Sequence, residues 1–100
     1  MPAANRVLIV RDDMEVAPKG ATEVFPLTFD WSRQLPGQTL LSSTWESLDG
    51  LPIVDAGFTD ERTSVEISGG SEGVYYELRN TVTTDDGTFT ASTFVAVNRP

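Results

Sequence analysis

The chain has 100 residues, one domain's worth, and a formal net charge of -8 from 15 acidic and seven basic side chains. Apolar runs reach four residues, as at Val7–Val10, against the roughly 20 that a membrane-spanning helix needs. Lys19 and six arginines are scattered along the chain, so no basic stripe awaits nucleic acid or an anionic membrane.

Cysteine and histidine are absent. That excludes disulfides, thiolate nucleophiles, zinc–thiolate sites and imidazole acid–base chemistry. The acidic balance implies solubility and repulsion between like chains, and a cysteine-free chain suits folding in a reducing cytoplasm. The start has no basic leader, and Arg11-Asp12-Asp13 interrupts the first apolar run, so a signal peptide is not expected.

Arg6-Val7-Leu8-Ile9-Val10-Arg11 is a β-branched apolar run between arginines, followed by Asp12-Asp13 and a Pro18-Lys19-Gly20 break. It reads as one short strand on an N-terminal arm, residues 1–21, ahead of a main domain at 22–98. Two placements are open: an edge strand of its own sheet, or an arm that adds a strand to a neighbouring subunit. In the second, Arg6 and Arg11 orient the run against acidic surfaces. Arg6, Val7, Leu8, Ile9, Val10 and Arg11 are then candidate protein-binding residues.

From Glu23 the hydrophobic period is two, the mark of half-buried strands. Phe25, Leu27, Phe29 and Trp31 share one face, and Pro26 suggests an edge or bulged strand because it cannot donate to a ladder. Pro36-Gly37 marks a turn. Thr39–Leu48 is the next strand, with Leu41, Ser43 and Trp45 on one face and Leu40 and Thr44 on the other. Leu51–Phe58 supplies another, and Thr59–Arg62 is a polar loop. Thr63–Ser68 alternates again, with Val65 and Ile67 inward.

The Gly-rich Ser68–Gly73 segment calls for positive φ. Val74–Thr84 then sets Tyr76, Leu78, Asn80 and Val82 on one face, with a short hairpin connection at Asp85-Asp86-Gly87. The last strand, Thr88 to about Val97, carries Phe89, Ala91, Thr93, Val95 and Val97 on one side. Phe94 and Ala96 lie on the other, which suggests cover on both faces near its end. No stretch has a helical period with cap signals. Six to eight short strands that must bury two Trp and five Phe predict an all-β, immunoglobulin-like antiparallel sandwich.

Phe29-Asp30-Trp31-Ser32, Ser42-Ser43-Thr44-Trp45, Ser68-Gly69-Gly70 and Tyr76-x-Leu78-x-Asn80-x-Val82-Thr83-Thr84-x-Asp86-Gly87 follow in that order. Together they resemble a group of small tailed-bacteriophage virion proteins, fiber–tail adaptors or structural proteins with an immunoglobulin-like fold. The resemblance covers roughly Lys19 to Val97 and leaves Met1–Pro18 outside. It implies a virion protein made in the host cytoplasm, without enzymatic activity or cofactor, present as a homo-oligomer or in many copies. Its expected partners are the major capsid protein or tail proteins. Head decoration (cement) and fiber–tail adaptor roles are equally compatible with it.

Other constellations carry less. Trp31 and Trp45 are expected in the core; exposed, Trp31 or Tyr75 would stack on sugar rings and make a carbohydrate-binding or adhesive module the alternative. Tyr75 and Tyr76 must face opposite ways. Tyr76 suits the core and a corner-type hydrogen bond, which leaves Tyr75 as a contact candidate. Asn80, in phase with core residues, needs hydrogen-bond partners and is expected to fix a bulge or loop through the backbone. The pairs Asp12-Asp13, Asp60-Glu61 and Asp85-Asp86 lack calcium-loop spacing, and no metal is expected. Gly69-Gly70-x-x-Gly73 lacks the Lys-Ser/Thr of a phosphate loop and opens a strand.

Overall fold

The computed structural model describes residues 6–11, 16–20 and 24–98, with the side chains of Arg6 and Asn98 outside that description. Eight strands form two four-stranded sheets. They are β1 (Arg6–Ile9), β2 (Ala17–Gly20), β3 (Phe25–Asp30), β4 (Ser42–Ser47), β5 (Ile53–Phe58), β6 (Arg62–Ile67), β7 (Tyr75–Thr84) and β8 (Gly87–Asn98). Sheet A has the order β1-β3-β6-β5 and sheet B the order β2-β8-β7-β4. The alternation at Phe25, Leu27 and Phe29, at Thr63, Val65 and Ile67, and at Leu78, Asn80 and Val82 turns these residues into a shared core. The two-residue Asp85–Asp86 connection joins β7 to β8, pairing Thr84 with Gly87.

The N-terminal part departs from expectation. One strand on an arm is expected; the structure has two, one in each sheet. β1 runs parallel to β3 and β2 parallel to β8. Of the two placements open for Arg6–Arg11, the chain takes the edge of its own sheet. Leu8, Val10 and Ala17 belong to the common core. The reason is geometric: without β1, the core side chains of β3 lack cover along that flank, and period-two alternation points Leu8 and Val10 at the gap.

β3 climbs away from the Gly69–Gly70 end and β8 descends toward it: Phe25 pairs with Ile67, and Val97 lies beside Gly70. The chain therefore reverses between β1 and β2 and clasps one open side of the sandwich. The supposed break at Pro18-Lys19-Gly20 lies within β2. Lys19 is 1% exposed, and its Nζ donates to the carbonyls of Gly69 at 2.7 Å and Gly20 at 2.8 Å. These bonds offset the cost of burying an ammonium and tie β2 to the Gly-rich loop.

β3 is also no edge strand. It lies between β1 and β6; the described pairs with β1 cover Leu27–Asp30, and Pro26 pairs with Glu66 of β6. In the β4 region Leu40 is buried and Leu41 exposed, the reverse of the expected facing. The cause is that both precede the strand, in a segment where Leu40 N bonds Asp60 O in one direction and Leu41 N bonds Thr83 O in the other.

Asn80 joins the two sheets. Its Oδ1 accepts from Trp31 Nε1 at 2.9 Å and Thr63 Oγ1 at 2.7 Å, both on the sheet A side. Its Nδ2 donates to Ser43 Oγ and the Thr44 carbonyl of β4, each at 3.0 Å. The expectation of a bulge or loop fixed through backbone is thus corrected: the amide pegs the layers together, chiefly through side chains. Trp45 packs edge-on against Phe29, with ring centroids 4.8 Å apart. At the start of β7 the Tyr76 hydroxyl accepts the Ser71 N–H at 2.8 Å, the tyrosine-corner bond of immunoglobulin-like domains.

Candidate interaction surface

In β7 and β8 the residues between the core positions face outward, and the register of sheet B sets them in transverse rows. Nearest the Gly69–Gly70 end, Pro18, Ala96 and Tyr75 form one row. Phe94 and Glu77 form the next, with Leu48 following β4 beside Glu77 through a 3.0 Å backbone bond. Val16 precedes β2 in phase with Pro18. Then come Ser92, Arg79 and Glu46, and beyond them Thr90, Thr81 and Thr44, and finally Thr88, Thr83 and Ser42.

The face is segregated. One end is apolar, with Tyr75 60% and Phe94 46% exposed. The other is a lattice of hydroxyls, where Thr81 bonds Thr90 and Ser42 bonds Thr83. Between them Arg79 lies 3.5 Å from Glu46, an exposed pair worth at most about 1 kcal/mol.

The residues singled out in the sequence do not gather in one place. Tyr75 lies on sheet B. Val7 and Ile9, 42% and 37% exposed, face outward from sheet A on the opposite side of the sandwich. Leu8 and Val10 are buried, a correction to their candidacy as contact residues: their side chains serve the chain's own core. Arg11 is exposed just past β1, and the side chain of Arg6 lies outside the described residues.

Trp31 is 1% exposed and cannot stack on a sugar, which removes one platform of the carbohydrate alternative. Phe94 is not covered as expected, because among the described residues no layer lies over sheet B. Its partnership with Tyr75 was nonetheless encoded: once the Asp85–Asp86 turn pairs Thr84 with Gly87, counting outward brings Glu77 to Phe94 and Tyr75 to Ala96. Pro18 required β2, which the sequence did not reveal.

Hollows lie elsewhere among the described residues, a small one beside Val7, Ile9 and Arg11 and two larger. One of about 290 Å³ sits on the outer side of sheet A over Thr28, Gly57 and Ser64. One of about 470 Å³ opens between Val10, Arg11 and Gln34 and the Thr88–Ser92 part of β8. Among the described residues no cluster of three or more acidic side chains is placed to hold a metal ion; Asp12-Asp13 lies outside them. Asp30 stands next to Trp31 in the chain. Burial pushes its carboxyl up, but hydrogen bonds from the Ser32 N–H and hydroxyl and the nearby Arg62 and Arg33 guanidiniums outweigh burial and hold it below its ordinary 3.8.

These features define an immunoglobulin-like β-sandwich domain. The fold is similar to a cysteine protease inhibitor, EhICP2, from Entamoeba histolytica, with a TM-score of 0.58 and 8% identity over 94% of this chain and 95% of that one. It is also similar to the titin M3 domain, with a TM-score of 0.53 and 18% identity over 94% and 93%. At such identities the likeness concerns the fold alone.

The chain belongs to the family of the podophage GP4 fiber-tail adaptor protein gp77, which it matches over residues 19–96. It is a bacteriophage virion structural protein, and of the two roles compatible with the sequence the family is that of the adaptor. No curated protein matches the chain. β1 and the first half of β2 lie outside the matched residues.

Proposed function

We propose that this chain joins fiber to tail through two opposed contact surfaces. The Tyr75–Phe94 end of sheet B holds one virion protein; the outer side of β1, with Val7 and Ile9 and the Arg11 that follows them, holds the other. The observation that carries this reading is the exposure of large apolar side chains on both outer faces of one thin sandwich, since an adaptor needs two sites that do not overlap. Aromatic side chains such as Tyr75 are the usual anchors of protein interfaces. The chain acts without turnover, is made in the host cytoplasm, and takes its place in several symmetry-related copies.

The test is the composition of particles assembled with altered chains. Replacing Tyr75 and Phe94 by Ser, or Val7 and Ile9 by Ser, should separate the two contacts. One variant is expected to remain on the tail without fiber, and the other to be missing from the particle. Full fiber occupancy in both would reject the proposal.

A further inference from the structure

Building on the reading that the Tyr75 face holds a virion protein, the charges around that face describe the partner. Glu77 stands in the row of Phe94. Asp49 reaches Glu77 from the end of β4, its Oδ2 accepting the Glu77 N–H at 2.8 Å. The apolar end is thus fringed by carboxylates. Of the two described cations nearby, Lys19 turns inward to the Gly69 and Gly20 carbonyls, and Arg79 is 3.5 Å from Glu46.

We infer that the Tyr75–Phe94 end takes an apolar protein surface bordered by Lys or Arg, and not a second copy of this chain. Two copies face to face would bring Glu77 and Asp49 against the same two carboxylates, on chains that each carry a net charge of -8. Juxtaposed like charges oppose such pairing, whereas a basic fringe both steers encounter and fixes orientation. The hydroxyl lattice at the far end of the face carries no charge and contributes no such preference.

The experiment measures binding of the purified full-length chain to phage particles assembled without it, from about 0.05 to 0.5 M salt, a range that strongly screens exposed charges. The unaltered chain should bind more weakly as salt rises. Tyr75→Thr with Phe94→Thr should lower affinity at least about tenfold. Glu77→Lys should lower it and flatten the salt dependence, while Thr81→Val, at the hydroxyl end, should leave both unchanged. Circular dichroism and melting of each variant establish that it is folded.

If Tyr75→Thr with Phe94→Thr abolishes binding but Glu77→Lys binds as well as the unaltered chain, or better, the basic partner is wrong and the contact face stands. Should the double variant bind normally, the contact face itself is wrong. Concentration-dependent dimers of the free chain that Phe94→Thr dissolves would assign the face to a second copy and overturn the inference.

Discussion

Asn80 accepts the indole N–H of Trp31 at 2.9 Å across the interior of the sandwich. With Thr63 donating to the same oxygen and Ser43 and Thr44 accepting from the amide nitrogen, one fully buried side chain is hydrogen-bonded to strands of both sheets. A satisfied buried network of this kind gives the two layers a unique register, because any slip strands several polar groups at once.

Asn80→Ala is therefore expected to lower unfolding free energy by about 2–4 kcal/mol, since it strands the Thr63 donor away from water and leaves the Trp31 indole only its 3.3 Å bond to Thr63. Trp31→Leu with Asn80→Leu should cost less than the two single changes added together, because the pair leaves fewer stranded groups. Urea unfolding of the four chains completes the cycle and reads the coupling.

Gly70 and Gly37 make a controlled pair. Both have positive φ, +97° and +75°, but a Cβ at Gly70 meets Val97 Cγ2 at 2.7 Å and Leu51 Cδ1 at 3.1 Å, whereas one at Gly37 meets nothing within 4 Å. Gly37→Ala should cost only the backbone strain, about 1–2 kcal/mol. Gly70→Ala adds about 1–3 kcal/mol of overpacking. Thermal melting should rank them in that order.

β1 sorts its residues by face. Leu8→Ala should destabilise by about 2–5 kcal/mol through loss of core burial, and Val7→Thr should stay within about 0.5 kcal/mol. Equal effects would mean that the strand does not sit at the edge of sheet A.

Asp30 supplies a pH dependence. Its carboxyl is held below the ordinary 3.8, so it contributes stability that is present above the unfolded-state pKa and is lost as pH falls through the lower folded-state value. Asp30→Asn keeps an acceptor for Ser32 but removes the charge. Its deficit relative to the unaltered chain should be constant near neutral pH and shrink below about pH 4, as urea midpoints over a pH series would show.

Much of the sandwich was legible because the information is local. The strict alternation of Phe25–Trp31, Thr63–Ile67 and Tyr76–Val82 fixes which side chains face the core, and Asp85-Asp86-Gly87 fixes the longest ladder. What escaped depends on distant pairing. β2 contains Pro18, Lys19 and Gly20, all poor strand residues, and is held by β8 and by Lys19 reaching a loop 50 residues away. Leu40 and Leu41 are adjacent and apolar, and only the carbonyls of Asp60 and Thr83 decide between them. Tyr75 was found by parity with Tyr76. Phe94 was misjudged because alternation tells which way a side chain points but not whether another layer covers it.

The clasp made by β1 and β2 also orders how the molecule gives way under tension, a condition to which a linker between fiber and tail is exposed. The described ends, Arg6 and Asn98, emerge toward the same end of the sandwich, so a pull between them meets β1 broadside and peels its four pairs one by one. Once β1 is free, the load enters β2 at Ala17 and runs lengthwise along its four pairs with β8, which must then shear together. A force–extension trace should accordingly show a small early step before the main rupture. The strand outside the family match would act as a sacrificial strap in front of a stiffer seam.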